Sequence, residues 1–406
     1  MKLLVYSHDA YGLGNIRRML AICESLLSET ENLSILLISG SPMLHGFRLP
    51  KGLDYIKLPC LNRGQTGNVT VKYLGCDVNE TVKLRSDLIL SAVANYQPDL
   101  FLIDKKPYGL KNELTATLDY LQTTRSQTKL VLLLRDILDS PETTIADWQK
   151  NGYYDAIEEF YDFVLVVGTP TVFDAVKEYQ FPAGVAQKVR YCGYIRRSPG
   201  LANRTWIRQS LQMLPQEKLV LVTPGGGEDG YHLVKTYLSG LDLMPAEYNV
   251  KSLVICGPEM PEDEKKELYQ VAQNYPQVQI KEFTDDLISY VGAADAIVSM
   301  SGYNTICEIL SLKKSAVIVP RIKPSREQLI RAERMDRLGL VKNIHPDNLN
   351  PQVLMEAVLN QLNQKQIAPT FDLDMNALRR ISYYISILLF QRQKEASLQK
   401  LLVVGC

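Results

Sequence analysis

The chain has 406 residues, 46% of them hydrophobic, with 45 basic and 45 acidic residues and a formal net charge of zero. That length exceeds one hydrophobic core and implies two or three domains, while the balanced charge leaves no surplus to hold a nucleic-acid backbone and sets that class of partner aside. The seven cysteines are scattered without a Cys-x-x-Cys pair, so a reducing cytoplasm is expected, and no His/Cys cluster is present.

In chain order, the apolar start at residues 1–6 is interrupted by His8 and Asp9 too early for a secretion signal, and no apolar run approaches a membrane span. Short β-branched or Leu-rich runs follow at residues 3–7, 34–39, 55–58, 100–104, 130–135, 164–168 and 189–192. The second half repeats the pattern at 219–223, 252–256, 278–283, 296–300 and 316–320. Continuous apolar runs without alternation mean strands buried on both faces, and helical patterns between them predict doubly wound parallel α/β sheets. Residues 62–77 carry three glycines and no apolar period, and read as a solvated loop. The stretch Gly193-Tyr194-Ile195-Arg196-Arg197-Ser198-Pro199-Gly200 breaks the pattern and reads as a linker. It divides a first unit, residues 1–195, from a second, residues 196–374. Ile381, Tyr384, Ile385, Leu388 and Leu389 then recur at helical spacing. That last helix, within residues 375–406, is expected to dock on a domain surface or to cross back to the first domain.

Four segments carry candidate chemistry, each just past a strand. The first strand runs into Ser7-His8-Asp9-Ala10-Tyr11-Gly12-Leu13-Gly14-Asn15, where Gly12 and Gly14 let the backbone approach a ligand and His8 and Asp9 stand where a general base would stand. Two glycines without a third, and no carboxylate after the second strand, rule out a dinucleotide fingerprint. Arg17 and Arg18 begin the next helix and either steer an anionic acceptor or face water. The second segment, Gly225-Gly226-Gly227, can wrap a phosphate or sugar without side-chain clash. In the third, Ser301-Gly302 opens a helix carrying Asn304, Thr305 and Glu308. Unpaired amides and the helix dipole there favour an anion, and Glu308 is spaced to accept hydrogen bonds from a ribose diol. The fourth holds Glu327 and Gln328, suited to sugar hydroxyls, among Arg321, Lys323 and Arg326, suited to phosphate.

These residues resemble those of GT-B glycosyltransferases, and within them the lipid-linked N-acetylglucosaminyltransferases of cell-wall synthesis, with a family 28-like C-terminal domain. Gly225-Gly226-Gly227 matches the family's Gly-rich loop, Ser301-Gly302 through Glu308 its nucleotide-sugar motif, and Glu327-Gln328 its acidic-or-amide pair. The runs Tyr6-Ser7-His8-Asp9 and Ala294-Asp295-Ala296-Ile297-Val298-Ser299-Met300 also look like an uncharacterised bacterial group of predicted glycosyltransferases. The resemblance implies two Rossmann-like domains facing across a cleft, a last helix within 375–406 that packs back on the first domain, no metal, and no cofactor beyond a nucleotide-sugar co-substrate, expected to be UDP-linked. It also implies a hydroxyl acceptor of lipid-linked type, inversion at the sugar, and a cytoplasmic enzyme with at most peripheral membrane contact.

One departure matters. Where the family places a His after the N-terminal Gly pair, this chain has Asn15, which cannot take a proton at neutral pH. Either His8 or Asp9 acts as base, or the base is lost. Three readings follow: a glycosyltransferase, a nucleotide-sugar epimerase of the same fold, and a non-catalytic sensor that binds a nucleotide sugar.

Overall fold

The computed structural model describes residues 1–8, 14–63, 68–124, 127–363 and 371–404, with side chains to Arg392 except that of Arg63. The chain forms two compact units, Met1–Ile195 with Asn376–Cys406, and Arg196–Met375.

Among the described residues, the first unit holds a sheet built from β1 (Lys2–Ser7), β2 (Ser34–Ser39) and β3 (Leu53–Lys57), and, after a hairpin of β4 (Leu61–Arg63) and β5 (Val69–Val71), from β6 (Leu100–Asp104), β7 (Lys129–Arg135), β8 (Phe163–Val167) and β9 (Val189–Tyr191). Its order is β3-β2-β1-β6-β7-β8-β9, and every pairing is parallel. Leu3, Leu4 and Val5 on β1 and Phe101, Leu102 and Ile103 on β6 are wholly buried, as central strands covered on both faces must be. Helix Gly14–Glu29 buries Ile16, Met19, Leu20, Cys23 and Leu26, a stripe at helical spacing.

In the second unit the strands are β10 (Lys218–Thr223), β11 (Val250–Ile255), β12 (Val278–Lys281), β13 (Ala296–Ser299), β14 (Ala316–Ile318) and β15 (Lys342–Asn343). Their order is β12-β11-β10-β13-β14-β15, again parallel. Val220, Val222, Val254, Val298 and Val317 pack under Leu233, Val234 and Tyr237 of helix Tyr231–Ser239 and Leu354, Met355 and Val358 of helix Pro351–Asn363. Each such side chain contributes about 1.5–3 kcal/mol on burial.

One finding differs from the sequence reading. Residues 62–77 are not all loop, because Leu61 pairs with Val71 and Asn62 with Thr70, and the hairpin packs Val69 and Val71 against Leu61, Leu110 and Val82. Three-residue strands are too short to show a period of two. The last helix, Ala377–Val404, belongs to the first unit and packs along helix Gly14–Glu29. Its entry is tied down by an antiparallel bridge between Ile195 and Asn376 and by the Ala377 N–H donating to the Tyr194 carbonyl. Arg392 pairs with Asp99 further along. No helix among the described residues is long and apolar enough to cross a membrane.

Candidate functional site

Strand order decides where a ligand can sit. In an open parallel sheet the crevice forms at the carboxyl ends of the two strands from which the chain winds in opposite directions. In the second unit these are β10 and β13, whose ends lead into Gly225-Gly226-Gly227 and Ser301-Gly302. In the first unit they are β1, which leads into His8, and β6, which ends at Asp104.

The glycine loop of the second unit is pinned rather than slack. Gly225 and Gly227 have φ of +85° and +100°, a region L side chains avoid. A Cβ on Gly227 would stand 2.4 Å from the Cys256 carbonyl, and the Glu259 N–H donates to the Gly226 carbonyl at 2.8 Å. Thr305 joins this loop to the next segment, because its Oγ1 lies 3.6 Å from the Cβ position of Gly225 and 3.9 Å from that of Gly302.

Gly302 begins helix Tyr303–Ser311, which has no side-chain cap and no acidic residue in its first turn. Ser301 does not cap it, because its hydroxyl donates instead to the Gln328 carbonyl at 2.8 Å. The amides of the first turn therefore point at the place the glycine loop borders, an arrangement suited to an anion. Glu308, two turns on, is 2% exposed, so it is not a solvated helix carboxylate.

Glu327 and Gln328 start helix Glu327–Arg337 and are both buried. Glu327 is held by Arg331 at 3.2 Å and approached by Arg321 at 3.6 Å, and Gln328 Oε1 accepts the Arg321 N–H at 3.4 Å. Arg321 also reaches Asp229, past the glycine loop, at 3.1 Å. Arg331, wholly buried, donates to the Ser301 carbonyl at 2.8 Å and lies over the Tyr303 ring. Charged links thus run from Asp229 through Arg321, Glu327 and Arg331 to Ser301, fixing three loops against one another. Sequence alone shows neither Arg331 nor Asp229 in this role; the available signal is the four-residue step from Glu327 to Arg331, which places both on one helix face.

In the first unit Asp9 and Gly12 lie outside the described residues. His8 is 3% exposed. Its N–H donates to Asp104 Oδ2 at 3.3 Å, and its carbonyl accepts from Asn15 Nδ2 at 2.6 Å. Asn15 thus orients the His8 backbone, while Gly14 is the first residue of the helix. Arg18 neither faces water nor is free to steer an acceptor, because it is buried and paired with Asp104 at 2.7 Å. His8 Nδ1 has no hydrogen-bond partner among the described residues.

Burial, and after it the positive charges of Lys105, Lys106, Arg85 and Arg135, hold the His8 imidazole well below its ordinary pKa. It is therefore neutral at physiological pH. Below the ordinary imidazole value the unfolded chain takes a proton that the folded chain refuses, so this group makes stability fall as pH falls. Between about pH 7.5 and about pH 5.5 the wild type is expected to lose more melting temperature than His8→Asn, measured by scanning calorimetry. Equal losses in the two proteins would contradict this.

Among the described residues no group of three His, Cys, Asp or Glu side chains is placed to hold a metal ion.

Residues 219–375 match the model of the glycosyltransferase family 28 C-terminal domain. The UDP-N-acetylglucosamine–N-acetylmuramyl-(pentapeptide) pyrophosphoryl-undecaprenol N-acetylglucosamine transferase of Haemophilus influenzae is 28% identical over 145 residues, which is 36% of this chain and 40% of that protein. The chain spans between 27% and 57% of the length of the first curated relatives it matches. Among solved structures, MurG of Acinetobacter baumannii superposes with a TM-score of 0.58 at 13% identity, covering 96% of this chain and 99% of that one. The UDP-GlcNAc 2-epimerase of Methanocaldococcus jannaschii gives 0.61 at 13% identity, covering 95% and 100%. The chain therefore has the GT-B fold of two Rossmann-like units, and its second unit is a family 28-like C-terminal domain.

Proposed function

We propose that this chain is a glycosyltransferase that moves a sugar from a UDP-linked donor to a hydroxyl acceptor, with inversion and without a metal. The observation that carries the reading is the family match over residues 219–375, which includes every donor-site residue named above. Gly225-Gly226-Gly227 and the uncapped turn at Ser301-Gly302 with Asn304 and Thr305 hold the diphosphate. This is the leaving group, so amides aimed at it act on charge that grows as the bond to the anomeric carbon breaks. Glu308 holds the ribose. Gln328, with Glu327 steadied by two arginines, borders the sugar.

The acceptor oxygen attacks the anomeric carbon and gives its proton to a base of the first unit. His8 is the candidate, neutral and with a free ring nitrogen among the described residues. The cations around it disfavour its protonated form, which suits an acceptor that brings negative charge of its own, such as a phosphate-linked lipid. The enzyme then works on the cytoplasmic side and touches the membrane at most peripherally.

A second reading, a nucleotide-sugar epimerase, is supported by the fold shared with the Methanocaldococcus protein. It requires free acid and base carboxylates. Among the described residues, Asp104, which accepts the His8 N–H, is committed to Arg18, and Glu113 is committed to Arg85. The test is to incubate the protein with UDP-sugars and candidate acceptors, and to follow UDP release and products by mass spectrometry. Release of UDP with a glycosylated acceptor supports transfer. A new UDP-sugar without UDP release supports the epimerase, and binding without either product supports a sensor.

A further inference from the structure

Along the edge strand of the second unit lies a cavity to which the reading above gives no task. Its volume is about 740 Å³, and it runs between β15 and one flank of helix Pro351–Asn363, where Val353, Ala357, Asn360 and Gln361 line it. Small-molecule sites have volumes of this order. β15 stands two strands from β13 in the sheet, so the cavity lies at the outer edge and outside the crevice between β10 and β13.

The lining is polar and nearly neutral. Asn343 Oδ1 is buried there and has no hydrogen-bond partner among the described residues. Gln361 is 9% exposed, and among the described residues no group bonds its amide. Buried polar groups are almost always satisfied, so two such amides on one cavity point to a ligand that brings hydrogen-bonding groups of its own. Asn348 and Asn360 add two exposed amides. Apart from His345, the charged lining is one residue of each sign, Lys342 and Glu356, which leaves no net charge to hold an ion. Ile344 and Ala357, both buried, give the cavity an apolar side together with Val353.

An amide both donates and accepts, and so does a hydroxyl, while Asn343 Oδ1 calls for an O–H or N–H donor. A sugar ring carries hydroxyls around its rim and C–H groups on its faces, which matches amides set about an apolar side. An added peptide strand fits less well, since β15 offers two residues of ladder against the usual five or six or so.

We propose that the groove between β15 and helix Pro351–Asn363 binds a neutral saccharide, with Asn343 and Gln361 on its hydroxyls and Ile344, Val353 and Ala357 against its C–H face. The site is separate from the donor crevice and does not depend on the nucleotide reading of that crevice. It gives the second unit a place to hold a sugar other than one linked to a nucleotide.

The test uses the full chain carrying Glu308→Ala, so that the donor crevice does not contribute. The probes are glucose, N-acetylglucosamine, cellobiose and chitobiose, followed by saturation-transfer NMR and calorimetry. At least one probe is expected to bind, and Gln361→Leu and Asn343→Leu are each expected to weaken it about tenfold or more. UDP binding by the chain with Glu308 intact should be unchanged by either substitution. Tighter binding of the disaccharides assigns the groove to a glycan chain and equal binding to a free sugar, and both support the proposal. If no probe binds, water serves these amides and the proposal fails. If a probe binds and both substitutions leave it unchanged, the sugar sits elsewhere and the proposal fails as well. If UDP weakens together with the sugar, the substitutions act through the fold of the unit, which also overturns it. Failure of wild type to bind UDP would sink the donor reading alone and leave the sugar probes to decide this one. Should Gln361→Leu or Asn343→Leu not fold, Asn360→Trp, at an exposed position of the helix, fills the groove and decides by the same loss of sugar binding.

Discussion

Arg85→Met is expected to destabilise the first unit by about 3–5 kcal/mol, because it leaves the buried Glu113 carboxylate without its cation. Both side chains are wholly buried, and the guanidinium grips the carboxylate through Nε at 2.5 Å and a second nitrogen at 2.6 Å. Tyr6 donates its hydroxyl to the same carboxylate at 2.6 Å and accepts the Leu110 N–H at 2.9 Å. Arg85 also caps the Pro59 carbonyl at 2.6 Å. One cluster therefore joins the strand that leads to His8, helix Val78–Tyr96 and the segment after β6. Urea denaturation measures the loss as a shift of the midpoint at constant slope. The double variant Arg85→Met with Glu113→Leu should recover part of it, since replacing both partners by apolar groups removes the stranded charge. A single variant as stable as wild type would show that the cluster contributes little.

Gly227→Ala is expected to disable the donor site. The residue sits at φ +100°, where a side chain costs about 1–3 kcal/mol before any contact is counted. Its Cβ would also meet backbone on three sides, the Cys256 carbonyl at 2.4 Å, the Gly257 carbonyl at 3.1 Å and the Met260 nitrogen at 3.1 Å. Backbone atoms cannot rotate away as a flexible side chain can, so the loop must move off the segment after β11. Nucleotide affinity should fall about tenfold or more, with a lower melting temperature. Gly226→Ala should be milder, because its Cβ meets the far end of the Glu259 side chain at 2.9 Å. Equal effects at the two positions would mean that the loop shape seen here is not the binding shape.

The α/β class was legible because its cause is local. A strand buried on both faces must be apolar along its length, as at Leu219 to Val222 and Leu253 to Ile255. The glycine loop and the turn at Ser301-Gly302 were legible for the same reason, since each interrupts an apolar run with residues that free the backbone. The hairpin at residues 61–71 and the two-residue strand β15 are too short to carry a period. The charge network was beyond sequence reasoning, because its partners are remote in the chain. Arg18 meets Asp104 across 86 positions, Arg321 meets Asp229 across 92, and Arg197 meets Asn304 across 107. Only the fold brings them together. The same remoteness hid the fate of Arg18, which looks like a surface arginine beside Arg17 and is a buried partner of the carboxylate that holds the His8 amide.

The central claim is that the carboxyl edge of the second sheet binds a nucleoside diphosphate, with Glu308 on the ribose. The most direct measurement is calorimetric titration of UDP into the wild-type chain and into Glu308→Ala, with melting temperatures recorded at saturating ligand. The account predicts that UDP binds wild type and raises its melting temperature, and that Glu308→Ala folds and loses most of that affinity. Failure of wild type to bind UDP or any other nucleoside diphosphate, or equal binding by the two proteins, would contradict it.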